Sequence, residues 1–133
     1  MKKLPTDREI LRHVYTTYLS DYPGICSPEG KHSNDPYLGI KIEELADALN
    51  CSAHLLFGRL RYGLERFNYE DTRGVKTMLF GAGIGGKGHA VNFPLLVSVL
   101  AEMENSHKRE QWSLWLSILS LIVASIALAV RWL

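Results

Sequence analysis

The sequence predicts an α+β head domain followed by a single transmembrane helix. Residues 112–130 form an apolar run that contains no charge, Gly or Pro. Residues 6–103 instead mix helical and strand-like hydrophobic spacing, with segments rich in Gly, Pro, Ser and Asn between them. A chain of 133 residues has room for one domain and an extension.

The first helix, the following loop and a short strand are predicted from residues 6–40. Thr6 and Glu9 have the spacing of a capping box, which indicates a helix start. Apolar residues then recur at helical spacing as Ile10, Leu11, Val14, Tyr18 and Leu19. Residues 23–36 are typical of a loop, and residues 37–40 are predicted as a short strand.

Residues 42–68 predict two helices joined by a tight turn. Ile42, Leu45, Ala46 and Leu49 give the first helix one apolar face, and residues 50–52 break it. Ser52 is placed to cap the second helix. The apolar side of that helix is Leu56, Leu60, Leu64 and Phe67. This is the pattern of a helix-turn-helix unit.

A β-hairpin and a last helix are predicted to complete the head. Residues 75–80 and 89–93 are rich in β-forming residues and flank the glycine-rich segment 81–88. Pro94 then precedes apolar residues at helical spacing.

This order of elements, and the segment ELADALNCS at residues 44–52 above all, resembles the winged helix-turn-helix superfamily. The segment is similar to the superfamily's Leu-Ala-x-x-Leu-Gly-x-Ser core, with Asn50 where Gly is common. The resemblance covers residues 6–103. It implies that the second helix of the motif lies in the DNA major groove and that the hairpin wing contacts the backbone.

The resemblance, carried onto this chain, gives a set of candidate contact residues. The recognition helix is residues 52–68, and the wing tip is residues 81–88. The predicted contacts to DNA or to a partner are His54, Arg59, Arg61, Tyr62 and Lys87. Glu65 on the same helix face repels phosphate and Leu55 beside it is apolar, so this face fits a protein partner equally well.

Other kinds of site are not predicted. Gly81, Gly86 and Lys87 fit the spacing G-x-x-x-x-G-K, but Gly88 replaces the Ser or Thr that a phosphate loop requires. Potential zinc ligands at Cys26, His32, Cys51 and His54 match no common finger spacing. No nucleophile, base and orienting group come together, so neither catalysis nor a cofactor is expected.

The apolar run has the length and flanks of a membrane span. Nineteen residues from Trp112 to Val130 approach the ~20 that cross the hydrocarbon core as a helix. Trp112, Trp115 and Trp132 mark its two edges. We predict a head at residues 1–105, a juxtamembrane segment at 106–111 and a transmembrane helix at 112–133. Lys108 and Arg109 before the span, against Arg131 after it, place the head in the cytoplasm and the C-terminus outside.

One side of the predicted span carries only small residues. These are Ser113, Ser117, Ser120, Ala124 and Ala127, at alternating spacings of four and three. Small residues let helices approach closely in lipid, so we predict a homodimer through this face.

Three functions are compatible with the sequence. The first is a single-pass membrane protein, suited to a bacterial inner membrane, whose head binds double-stranded DNA as a regulator. The second is an adaptor that uses the same fold to bind a cytoplasmic protein at the membrane. The third is a small membrane-active protein with a sensor head. Head charge does not separate the first two functions, because residues 1–105 carry 12 Lys and Arg against 13 Asp and Glu.

The two cysteines and the lack of a secretion signal predict a reducing environment for the head.

Overall fold

The computed structural model describes residues 4–22, 36–83, 86 and 88–133, and it is an α+β protein, as predicted. The chain divides into two compact units, residues 1–100 and 101–133. The α-helices in the described part are α1 (Asp7–Tyr18), α2 (Ile42–Ala48), α3 (Ala53–Gly58) and α4 (Phe93–Trp132). The strands are β1 (Tyr37–Gly39), β2 (Tyr69–Glu70), β3 (Lys76–Thr77), β4 (Phe80–Ala82) and β5 (His89–Asn92).

Helix α1 begins at the predicted capping box. The backbone N–H of Thr6 donates to Glu9 Oε2 over 2.6 Å, and the backbone N–H of Glu9 donates to Thr6 Oγ1 over 3.3 Å. Two N–H groups that a helix start otherwise leaves without partners are satisfied in this way. The buried residues of α1 are Ile10, Leu11, Val14 and Tyr18, as predicted. Leu19, which is predicted on the same face, lies in a 3₁₀ turn after α1 and is half-buried.

The turn between α2 and α3 places Asn50 in a left-handed conformation, with φ of 54°. Asparagine adopts this conformation more readily than most residues, because its short polar side chain bonds locally. The chain can therefore reverse without a glycine. Ser52 occupies the N-cap position of α3, but its side chain makes no capping hydrogen bond, contrary to the prediction.

The predicted recognition helix is not one continuous α-helix. After α3 the chain makes a wide π turn at Arg59–Gly63 and a 3₁₀ turn at Glu65–Phe67. Leu56, Leu60 and Leu64 are spaced four apart, which drifts by about 40° per step around an α-helix. A wider turn offsets that drift, and all three leucines are at most 3% exposed.

The head contains a three-stranded antiparallel sheet in the order β1–β5–β4. Leu38 in β1 pairs with Val91 in β5, and Val91 pairs with Phe80 in β4. The first unit has a core between this sheet and the helices. Its largest fully buried side chains are Phe93, Ile10, Leu11, Leu45, Leu56, Leu64, Leu79, Leu96, Val14 and Val91.

The predicted strand at residues 75–80 is wrong, because it is divided between two sheets. Lys76 and Thr77 pair with β2 in a separate ribbon, and only Phe80 belongs to the hairpin with β5.

Asp71 stabilises the turn of the β2–β3 ribbon. Its carboxylate accepts the backbone N–H groups of Val75 at 3.0 Å and of Arg73 at 2.8 Å, which closes the turn between β2 and β3. These bonds, that from Val75 foremost, lower the pKa of Asp71.

Helix α4 starts with a cap that was not predicted. Asn92 is buried, and its Oδ1 accepts the backbone N–H of Leu95 at 3.1 Å. The helix is 40 residues long, and an 18-residue window within it has a mean hydropathy of 2.3, so it is long and apolar enough to cross a membrane. None of that window is buried against the rest of the protein. The coarse prediction of one apolar C-terminal helix is confirmed.

Candidate functional site

The predicted recognition helix, residues 52–68, is formed by α3 and the two turns that follow it, and its outer surface is exposed. The predicted contact residues His54, Arg59, Arg61 and Tyr62 are all exposed, and Tyr62 is 73% exposed. Leu55 and Glu65 are exposed as well, the former to 55%. The buried leucines fix the opposite side of this segment against the core, so these side chains face away from it. Lys87, the fifth predicted contact, lies outside the described residues.

Asp7 holds two of the arginines on this surface. One carboxylate oxygen of Asp7 accepts the Arg59 guanidinium, and the other accepts Nη2 of Arg66 at 2.9 Å. The Asp7 side chain is only 15% exposed, whereas the Arg59 and Arg66 side chains are 45% and 66% exposed. The Arg66 guanidinium also lies 4.7 Å from the centre of the Phe67 ring. Both arginines therefore have structural partners that compete with an external ligand.

Arg61 and Tyr62 are two of the exposed polar groups of this surface that a ligand can contact, together with His54 and Glu65. Within the described part of the chain, neither side chain makes an ion pair or hydrogen bond. An arginine guanidinium presents five N–H donors that suit phosphate oxygens or a guanine edge. Helical spacing predicts that Arg61 lies on the outward face and that Arg59 and Arg66 lie on its flank. The structure adds that both flanking arginines have a partner in Asp7.

We expect Asp7→Asn to loosen α1. The change removes the charge that Arg59 and Arg66 contact and a favourable negative charge at the helix start, together about 1 kcal/mol. Hydrogen exchange of the α1 amides in the full chain, followed by mass spectrometry, should accelerate about fivefold. Asp47→Asn is the matched control, since exposed Asp47 has no side-chain ion pair in the described structure. Equal exchange in the two variants would contradict the role given to Asp7.

The glycine-rich segment connects β4 to β5. Gly83, Gly86 and Gly88 all have positive φ, between 70° and 73°. The backbone N–H of Gly83 donates to the carbonyl of Gly88, which closes the hairpin. A phosphate loop requires a helix at this point, but the strand β5 follows instead. The segment is therefore a hairpin connection.

His89, at the start of β5, lies among aromatic rings. It stacks on Phe80 with ring centroids 5.9 Å apart and meets the Phe57 ring edge-on at 5.5 Å. Beside it is an open cavity of about 310 Å³, which is also lined by Glu43 and His54. No group of three or more potential metal ligands occurs among the residues that the structure describes. Cys26 and His32, two of the zinc ligands considered above, lie outside them, and Cys51 is a free thiol.

The predicted self-association face lies in the second unit, on the exposed apolar part of α4. Two of its three hydroxyl groups bond to the same helix. Ser117 Oγ donates to the carbonyl of Ser113 at 2.9 Å, and Ser120 Oγ donates to that of Ser117 at 2.8 Å. These serines therefore need no partner helix to satisfy their hydroxyls in lipid. Any contact through this face depends on the small size of its side chains.

Comparisons of the chain with protein-family models, with curated proteins and with solved structures found no match.

Proposed function

We propose that this protein is a membrane-anchored DNA-binding regulator with a winged helix-turn-helix head. The observation that carries the proposal is the exposed pair Arg61 and Tyr62, which lies on the second helix of the motif with no partner in the described structure. Arginine is the commonest residue in specific base contacts, and tyrosine hydroxyls contact phosphates. A helix that presents them outward can enter the major groove.

The arrangement of the head supports the winged-helix part of the proposal. Its elements follow the order α1, β1, α2, α3, then the β2–β3 ribbon, the β4–β5 hairpin and α4. Apart from the extra ribbon, this is the order expected of a winged helix. The hairpin strand β5 lies between β1 and β4, so β1 closes the sheet beside the hairpin. In this proposal the wing tip is residues 81–88, of which Gly81 and Ala82 belong to β4.

The exposed apolar part of α4 supports membrane anchoring. Large side chains on every face of residues 112–130 are more than half exposed, which in water would leave a large apolar surface unburied. A bilayer removes that cost. In the proposed topology the head is cytoplasmic, because Lys108 and Arg109 precede the span and Arg131 alone follows it.

In this proposal the span brings two heads together, so that the DNA contacts of both heads add. We expect cysteines at Ser117 and Ser120 to crosslink in membranes several-fold more efficiently than cysteines at Leu119 and Ile122. The small-residue face permits close approach, whereas the larger residues hold neighbouring backbones apart. The measurement is the dimer yield on a gel with a short bifunctional maleimide. The two native cysteines would first be replaced by serine, and equal yields at all four positions would overturn the homodimer.

Salt dependence tests the DNA-binding proposal directly. The full chain in neutral detergent would be titrated against a labelled duplex of mixed sequence, with fluorescence anisotropy as the readout. We expect affinity to fall steeply between about 50 and about 200 mM salt, because binding of cationic side chains to phosphates releases counterions. The absence of binding at the lower salt concentration would refute this function.

A second function is favoured by one observation on the same surface. Leu55 is 55% exposed, and Glu65 adds a negative charge near Arg61. An apolar side chain beside mixed charges is typical of a protein interface. If this protein is an adaptor, binding of its partner changes little with salt, and Leu55→Ala weakens it.

A further inference from the structure

The second unit has a groove on one side of α4 at the start of the apolar run. The groove has a volume of about 560 Å³ and is open to the surroundings. Trp112 and Trp115 are each 71% exposed, and their large rings stand out from the helix as its walls. The complete lining is Lys108, Gln111, Trp112, Trp115, Leu116 and Leu119.

The chemistry of the groove changes in one direction along the helix. A cation and an amide lie at its N-terminal end, two indole rings follow, and leucines lie at its far end. The 11 residue steps from Lys108 to Leu119 cover about 16 Å at 1.5 Å per residue. A phospholipid presents the same order over a similar length, from its charged headgroup through the interfacial region to the acyl chain. Indole rings favour that interfacial depth in a bilayer.

The charge of the groove selects one kind of lipid. Its lining contains Lys108 and no carboxylate. At 100° per residue, Glu110 lies about 160° from Lys108 around the helix, on the opposite side. Glu104 lies within about 40° of Lys108 but one turn further from the apolar run, and it does not line the groove. We propose that the groove binds an anionic phospholipid, with the phosphate at Lys108 and an acyl chain along Trp115 and Leu119. This inference rests on the membrane anchoring proposed above.

The groove is distinct from the predicted self-association face. With Lys108 at 0°, helical geometry places Trp115 and Leu119 within about 20° of it. Ser117 and Ser120 lie at about 180° and about 120° on the same scale. A lipid in the groove and a second copy of the span can therefore occupy the helix at the same time. Substitutions in the groove leave the small-residue face intact.

The fluorescence of the tryptophans allows lipid binding in the groove to be measured directly. All three lie in the apolar helix, at positions 112, 115 and 132. The variant Trp132→Phe of the full chain retains only the two that line the groove. This variant would be reconstituted into phosphatidylcholine vesicles that contain a low, equal fraction of either brominated phosphatidylglycerol or brominated phosphatidylcholine. Bromine quenches indole fluorescence on contact, so quenching measures which lipid lies in the groove.

We expect brominated phosphatidylglycerol to quench the fluorescence of the two tryptophans as strongly as a lipid whose concentration around the rings is about fivefold above that in the rest of the bilayer. This factor corresponds to the attraction between one basic side chain and an anionic lipid. Lys108→Gln should reduce its quenching to the level of brominated phosphatidylcholine. Arg109→Gln is the matched control, because it removes the same charge about 100° away around the helix and should keep most of the enrichment.

Each contrary result has a separate meaning. Equal quenching by the two lipids would overturn the lipid site while leaving membrane anchoring intact. Equal loss in Lys108→Gln and Arg109→Gln would overturn it as well, because general surface attraction would then explain the enrichment. Absence of quenching by either lipid would show that the helix is not in the bilayer, so both the anchoring and this inference would fail.

Discussion

Replacing Leu121 and Ile122 together by arginine should release this protein from membranes. Both residues lie at the middle of the apolar run, and both side chains are at least half exposed in the chain. An arginine at the centre of a transmembrane helix costs about 2.5 to 3.5 kcal/mol, so two cost about 5 to 7 kcal/mol. The protein offers no other side chain within the run to pair with them, since residues 112–130 contain no acidic residue.

The double substitution is needed because a single one is too weak. Eight Leu, Ile and Val residues of the run remain in the double variant. At about 0.3 to 0.6 kcal/mol each, they favour insertion by about 4 kcal/mol. One arginine is offset by this amount, whereas two exceed it. We therefore expect Leu121→Arg alone to stay largely in the membrane.

The measurement is the fraction of chain that remains in the membrane pellet of a bacterial expression host after extraction with alkaline carbonate. Asn105→Arg with Ser106→Arg is the matched control, since it adds the same charge to exposed positions outside the run. The control should remain in the pellet with the unchanged protein. If carbonate extracts the unchanged protein, or leaves the double variant in the pellet, α4 is not a membrane anchor.

Local patterns were predicted correctly where a few neighbouring residues decide the outcome. The capping box of Thr6 and Glu9 requires only four consecutive residues. The buried leucines of the second helix follow from their spacing alone, and Leu64 is 1% exposed. The Asn92 cap was not predicted, although its signal is equally local, because an asparagine before Phe93 and Pro94 marks a helix start.

Features that depend on distant partners were not predictable. Residues 76 and 77 pair with β2, whereas residue 80 pairs with β5. The β-forming composition of residues 75–80 is the same whether they form one strand or two, so it could not predict this division. Asp7 is separated by 52 and 59 residues from the two arginines that it contacts. Sequence spacing places Arg61 on the outward face of the helix and Arg59 on its flank, but only the tertiary structure shows that Arg59 already has a partner.

Arg61→Gln should raise the dissociation constant for DNA more than any other neutralisation of a single arginine in the head. Arg59 and Arg66 already contact Asp7, whereas Arg61 has no ion pair in the described structure. Loss of an arginine that contacts a base edge costs about 1 to 3 kcal/mol, which corresponds to roughly 5- to 150-fold in affinity. If Arg61 contacts phosphate instead, the slope of log affinity against log salt should fall by about one.

Arg73→Gln is the matched control for this change. It removes the same charge from the same domain, but Arg73 lies in the turn of the β2–β3 ribbon and contacts Asp71 at 3.2 Å. We expect its affinity to stay within about twofold of the unchanged protein, because a single exposed charge away from the contact surface acts only through the screened field. Equal weakening by the two variants would mean that DNA binding depends on overall charge and that the predicted recognition helix is not the element that contacts DNA. Salt-dependent binding that Arg61→Gln alone reduces would instead identify this helix as the DNA contact, since only a group at the interface distinguishes two neutralisations of equal charge.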